Sequence, residues 1–370
     1  MARGRDMAHL RLLTTEYTYA ELSTSISPAI EKYLEEQRSP NTLVVNFFRA
    51  NSITIGVLED PEKSLNLDFC REHGIEVRRR QNPGGAVFGT QGSVMTCLYL
   101  DLGQDWVPFK SIREAFPYFI ERMAAVISEQ FGLKASYRPV NDIEVGGRKL
   151  VATSARLEAE ILTLRSVINV FPVDRELIAG AIIARPEKFA DKVHKDGGAR
   201  FTCFQDELGR ALQRSEMHEL AVATMQKVFG QEVILERGAL TTEEQRFSHD
   251  YQDLYCSDEW YFANSERIRF AGADPSASRA EAYHKAPAGL MGLALLGLQG
   301  KVHDVILLAD FHPSPYSVMG RLEDALRGQP LKLEALMAQV ETVYNAPGVE
   351  IPGTELSDFA TLLDKGLKQL

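Results

Sequence analysis

Three cations, Arg78, Arg79 and Arg80, run through Gln81-Asn82 into Pro83-Gly84-Gly85, and the apolar run Ala86-Val87-Phe88 follows. Glycine has no Cβ, so a turn built on it lets backbone N–H groups approach a ligand closely. Arginines beside such a turn can clamp a phosphate or carboxylate with forked hydrogen bonds. The segment reads as an anion site at the start of a strand. It is not a Walker-type loop, because no G-x-x-x-x-G-K-[ST] occurs in the chain. On its own it is more simply a solvated strand end beside an ordinary glycine loop.

Further along comes Asn141-Asp142-Ile143-Glu144-Val145-Gly146-Gly147-Arg148-Lys149-Leu150-Val151-Ala152. The pattern predicts a strand, a tight Gly-Gly hairpin and a second strand. It places Arg148 and Lys149 at the start of the returning strand. An ordinary hairpin with exposed charges has the same pattern.

The order of the two segments resembles the lipoate–protein ligase family, within the wider biotin/lipoate ligase superfamily. That family carries an R-R-x-S-G-G-G-A-V-[FY] loop, followed by R-N-D-[IL]-x-[VF]-x-G-x-K-[IL]-x-G. Arg79 and Arg80 match the paired arginines, and Gly84-Gly85-Ala86-Val87-Phe88 matches the glycine-rich strand start. Asn141-Asp142-Ile143 and Gly147-Arg148-Lys149-Leu150 match the second motif, with Lys149 at the family's catalytic lysine. Ile53-Thr54-Ile55-Gly56 with Pro61 and Asn66 is a weaker echo, as are Lys188, Lys192 and Ala199-Arg200-Phe201-Thr202. The resemblance covers roughly the first two-thirds of the chain.

The resemblance implies an α+β fold with a mixed, largely antiparallel sheet flanked by helices, and a small α+β C-terminal domain. Residues 1–250 would form the catalytic domain and 256–370 the accessory one. The implied reaction adenylates lipoate or octanoate with ATP and transfers the acyl group to a lysine of a lipoyl carrier protein. An adenylate is needed because a carboxylate is a poor acyl donor, and most of the catalysis is then positioning and electrostatic stabilisation of phosphate charge. The ammonium of Lys149 would touch both the attacking carboxylate and the α-phosphate. Arg79 and Arg80 would hold phosphate, and Gly84, Gly85, Ala86, Val87 and Phe88 would lie against the nucleotide. Asp142 would bind Mg²⁺ or an amine, oriented by Asn141. Val94-Met95-Thr96-Cys97-Leu98 is either a wall of an acyl tunnel or ordinary core, and Cys97 reads as structural. Two other readings are an ATP-independent lipoyl or octanoyl transferase and a catalytically weak carrier-binding paralogue.

Three departures stand out. The glycine loop reads Asn82-Pro83-Gly84-Gly85 where Ser-Gly-Gly-Gly is usual, and proline removes one amide and stiffens the loop. Val151-Ala152 follows the lysine where a glycine is usual, and Leu164-Arg165 replaces a His-Gly pair. Together they predict retained activation chemistry with an altered acyl or acceptor site. Arg165 is expected to face the acceptor.

Composition points to a cytoplasmic enzyme. The chain has 370 residues, enough for two domains, with no apolar run long enough to span a bilayer and no signal-peptide core. A net charge of −10 argues against nucleic acid as the main partner. It also asks for a local basic face toward an acidic carrier, and Arg148, Arg156, Arg165, Lys188, Lys192, Lys195 and Arg200 are the candidates. Cys70, Cys97, Cys203 and Cys256 are widely spaced and read as buried free thiols. The histidines lack metal-site spacing, so no structural metal is expected.

Around these segments the periodicity predicts helices over 17–37, 108–131, 215–229 and from 241. Pro117 should kink the second of these or mark its start. Strands are expected over 42–48, 94–102 and 161–171. After residue 256 the pattern resets. Strands at 289–296 and 301–308 flank Gly297-Leu298-Gln299-Gly300, and helices follow at 318–326, 332–344 and 355–370.

Overall fold

Residues 8–139, 141–183, 185–186 and 201–370 are described by a computed structural model. Among the described residues the N-terminal two-thirds supplies eleven strands. In chain order they are β1 (His9–Thr15), β2 (Thr42–Phe47), β3 (Ser52–Ile55), β4 (Glu76–Arg79), β5 (Val87–Gly89), β6 (Val94–Asp101), β7 (Ala135–Arg138), β8 (Asp142–Val145), β9 (Arg148–Glu158), β10 (Ile161–Ile168) and β11 (Ile234–Arg237). Eight form one sheet in the order β11-β1-β2-β6-β10-β9-β8-β7, and β4-β3-β5 form a small second sheet. In the large sheet β1 runs parallel to β2 and β11, and every other pairing is antiparallel.

The central strands are covered on both faces, and their sequences say so. Every residue of β10 is buried, which suits a strand sandwiched between layers. Leu162, Leu164 and Ile168 point to helices Ile112–Phe131 and Arg214–Phe229, while Val167 points to the other face with Met95, Cys97 and Tyr99 of β6. That second face is roofed by Tyr19–Glu21, a π-helical turn Leu22–Ile26 and Ser27–Glu35, a single helical run. Thr18 starts it with a capping box, exchanging hydrogen bonds with Glu21. Ser111 caps the helix Ile112–Phe131, and left-handed Gly132 ends it. The cap therefore sets the start, and Pro117 lies inside the helix instead of marking its beginning.

The β9–β10 hairpin turns through Ala159 and Glu160, whose φ angles are 46° and 65°. A side chain in the left-handed region costs energy that glycine avoids. Ala159→Gly is expected to raise the unfolding free energy by about 0.5–1 kcal/mol, measured by chemical denaturation.

The C-terminal third adds β12 (Ser278–Lys285), β13 (Leu290–Leu298) and β14 (Lys301–Ala309), an antiparallel sheet in that order. Gln299 and Gly300, with φ of 52° and 74°, make the β13–β14 turn. Strand β12 was not anticipated: only Ala280 and Ala282 bury, and its Arg279, Glu281, His284 and Lys285 hide the alternation. The helices Val318–Leu326, Leu333–Tyr344 and Leu356–Leu367 complete this domain. Its core also takes in Val57 and Leu58 from the chain after β3. The amide of Ala309 donates to the Leu58 carbonyl at 3.0 Å, and the Ser265 hydroxyl donates to Asp60 at 2.7 Å.

Candidate active site

Lys149 reaches the site through a β-bulge. Ile143 pairs with Val151 and Glu144 pairs with Lys149, so Leu150 is the extra residue. Leu150 and Val151 both bury in the core beneath helix Ile112–Phe131. The extra residue turns Lys149 to the opposite face, beside Ala152 and Ser154. Gly146 and Gly147, with φ of 58° and 75°, make the hairpin turn just before it.

There the Lys149 ammonium lies 2.8 Å from Asp142 Oδ2. The pair is mostly shielded, with side chains 18% and 11% exposed. Asp142 Oδ1 is buried without a hydrogen-bond partner. Asn141 ties the two strands together: its side-chain amide donates to the Thr153 carbonyl at 2.6 Å, and the Thr153 amide donates back to the Asn141 carbonyl at 2.9 Å. Phe201 flanks the lysine, its ring centroid 5.8 Å from Nζ. Thr202 donates its amide to the Lys149 carbonyl at 3.0 Å.

The glycine loop is held in place by Arg80. Its guanidinium donates to Thr54 O at 3.0 Å, Thr54 Oγ1 at 3.1 Å, Pro83 O at 3.1 Å and Gly85 O at 3.0 Å. The loop backbone lies directly on Gly56, where a Cβ would come within 2.0 Å of the Gly84 carbonyl. The sequence echo around Gly56 thus has a steric cause: two backbones touch there. Arg79 departs from its expected position. It donates to the carbonyls of Val57 and Trp260, and its guanidinium lies 4.9 Å from the Trp260 ring centroid. Alternation along the chain sends Arg79 toward the C-terminal domain and Arg80 under the loop. The same alternation buries Phe88 with Ile53 and Ile55 and leaves Val87 facing the cavity.

These groups line a cavity of about 320 Å³. Arg80, Gly84, Gly85, Ala86, Val87, Asn141, Asp142 and Lys149 are brought together on it. Arg79 and Phe88 are not among its lining residues. Sequence reasoning missed Tyr19 from the roof, Ile178 and Ile182 beside it, and Lys285, Asp310 and His312 from the C-terminal domain. Asp310 and His312 follow directly on β14, and no pattern in the sequence ties them to the lysine. Lys188, Lys192, Lys195 and Arg200 lie outside the described residues.

His312 packs on the free edge of β9, its Nδ1–H donating to the Ala155 carbonyl at 3.2 Å. Burial, with a smaller contribution from the Arg80 charge, pushes its pKa down to about 4. The unfolded value is near 6.5, so the folded state binds the proton less tightly. Its contribution to stability is present above about pH 6.5 and is lost as pH falls toward about 4. The loss is on the order of 3 kcal/mol. His312→Gln is expected to flatten the slope of unfolding free energy against pH over that window.

Arg165 and Arg156 overturn the expected basic face. Both are buried on the sheet face beneath helix Ser27–Glu35, where they share the Glu31 carboxylate. Arg165 therefore cannot meet a carrier, and its partner is a residue of its own chain. Arg148 is the one member at the surface among the described candidates, and it pairs with Glu207 at 2.7 Å. Cys97 is fully buried, and its thiol is pushed up to about 11 by burial, so it stays protonated. Cys70 and Cys203 are buried as expected, but Cys256 is only half-buried. Among the described residues no cluster of His, Cys, Asp or Glu could hold a metal alone, and no helix is long and apolar enough to cross a membrane.

Residues 25–226 match the family model described as the lipoyl protein ligase A/B catalytic domain. The chain belongs to that family. It is similar to lipoate–protein ligase 1 of Staphylococcus aureus (strain Mu50), with 22% identity over 289 residues, 78% of this chain and 81% of the relative. The fold is similar to that of P. falciparum LipL1, crystallised in complex with lipoate, with a TM-score of 0.69 at 14% identity over 95% of this chain and 98% of the other. It is also similar to lipoate–protein ligase A bound with ATP, with a TM-score of 0.55 at 17% identity over 70% of this chain and 99% of the other.

Proposed function

We propose that this protein is an ATP-dependent lipoate–protein ligase. In the first step a carboxylate oxygen of lipoate or octanoate attacks the α-phosphorus of ATP, and pyrophosphate leaves. In the second the amine of a carrier lysine attacks the acyl carbonyl, AMP leaves with the bonding pair, and the amine gives up a proton. The observation that carries the reading is Lys149, placed by a bulge and an Asp142 partner on a cavity walled by the glycine loop. Substrate oxygens would exchange with Asp142 as partners of the ammonium, and Lys149 would then polarise the acyl phosphate.

Arg80 serves by fixing the loop, and the loop backbone by lying along the nucleotide. Asp142 offers one buried carboxylate oxygen with no partner, Oδ1. That suits Mg²⁺, which takes one or two carboxylates and completes its shell with phosphate oxygens and water. When bound, it would neutralise phosphate charge. The buried, protonated Cys97 gives no support to an acyl-cysteine transferase.

The experiment is to incubate the protein with ATP, lipoate and several lipoyl domains, and to take intact masses. A lipoyl mass increment on a domain, dependent on ATP, is the expected result. Acylation from a donor domain without ATP would establish the transferase instead. ATP-independent binding of domains with no mass change would establish the weak paralogue.

A further inference from the structure

The cavity continues from Lys149 along β9 past Ala152 to Ser154, and to Arg165 on the next strand. From Lys149 to Ser154 the strand covers roughly 15 Å at its ordinary rise per residue. A medium-length acyl chain with its carboxyl at Lys149 therefore carries its other end toward Arg165.

That end of the cavity is not apolar. Arg165 is a cation only 1% exposed. One of its terminal nitrogens donates to the Ser27 hydroxyl and lies 3.5 Å from Glu31 Oε1. The Glu31 carboxylate is already engaged, accepting from Ser27 Oγ at 2.9 Å and pairing more closely with Arg156. Two guanidiniums thus share Glu31, and Glu158 acts on Arg156 as well. Nε and Nη1 of Arg165 are buried with no hydrogen-bond partner. Across the strands its neighbours are Cys97, held as a neutral thiol, and Ser154. Neither supplies a negative charge. A buried charged donor without an acceptor is costly, and the cost is recovered when a ligand supplies one.

We propose that this end of the cavity binds an oxygen acceptor carried at the far end of the acyl substrate. Medium-chain acids with a terminal carboxylate or hydroxyl are then preferred over the plain fatty acid of the same length. The two unpartnered donors of the Arg165 guanidinium rank the carboxylate above the hydroxyl. The inference rests on the ligase reading for the position of the reacting carboxyl.

The test is calorimetric titration of the full chain, without ATP, with octanoate, 8-hydroxyoctanoate and octanedioate. Wild type is expected to bind octanedioate at least about tenfold more tightly than octanoate, with the hydroxy acid between. Arg165→Met is expected to reverse that order. It should not lower the thermal unfolding midpoint, because Glu31 keeps Arg156 and Ser27. Arg165→Lys should recover part of the preference, and carries the test if the methionine variant does not fold. Equal binding of the two acids by wild type overturns the proposal. So does an unchanged order in the variants, or a loss of ATP binding in place of acid preference. Pyrophosphate exchange driven by lipoate is measured in parallel. Its absence beside an intact acid preference removes the ligase chemistry and leaves the Arg165 assignment standing.

Discussion

Lys149→Ala is expected to reduce lipoate-dependent pyrophosphate exchange by about two to four orders of magnitude while the protein stays folded. The ammonium lies on the cavity wall beside Asp142, and on the ligase reading it contacts attacking carboxylate and α-phosphate together. Loss of two charge-assisted contacts in a shielded site costs about 3–5 kcal/mol of transition-state stabilisation. The substitution also leaves Asp142 without its partner at 2.8 Å, which is a stability penalty of its own. Lys149→Ala combined with Asp142→Asn removes that penalty, and its exchange rate then reports the loss of both side chains, because Asp142 is also the proposed Mg²⁺ ligand. Exchange at near wild-type rate in either variant would falsify the role of the lysine.

The second large effect is expected at Arg80, and it is an effect on stability as much as on ATP use. Arg80→Ala strands the carbonyls of Thr54, Pro83 and Gly85 and opens a space under the loop. The expected loss is about 3–5 kcal/mol of unfolding free energy, with a sharply raised ATP requirement. Arg78 is half-buried, pairs with Glu76 at 3.3 Å and touches no part of the cavity. Arg78→Ala should cost under about 1 kcal/mol and leave the ATP titration unchanged. Paired denaturation and ATP titration curves check both, and equal curves for the two variants remove Arg80 from the site.

The loop and the hairpin were legible because glycine, proline and alternation act locally. So was the mixed, largely antiparallel sheet, through the family that the two motifs identify. What the sequence concealed was long-range. Arg165 stands in Leu162-Thr163-Leu164-Arg165-Ser166, which reads as a strand with one outward charge. Its burial depends on Glu31, on a helix far away in the chain. Arg80 looked like a phosphate clamp because its type suits one; that its donors are spent on loop carbonyls depends on the fold of the loop. His312 belongs to no pattern, and it reaches the cavity only because the C-terminal domain packs against the open edge of β9.

The bulge at Leu150 sets a rule for how this stretch of chain can change over time. Between the Gly146-Gly147 turn and Ala152, many apolar side chains could fill the places of Leu150 and Val151. None of those exchanges alters which way the lysine faces. Losing or gaining a single residue there does, because it swaps interior and cavity for everything back to the turn. The segment should therefore drift freely in spelling and hardly at all in length.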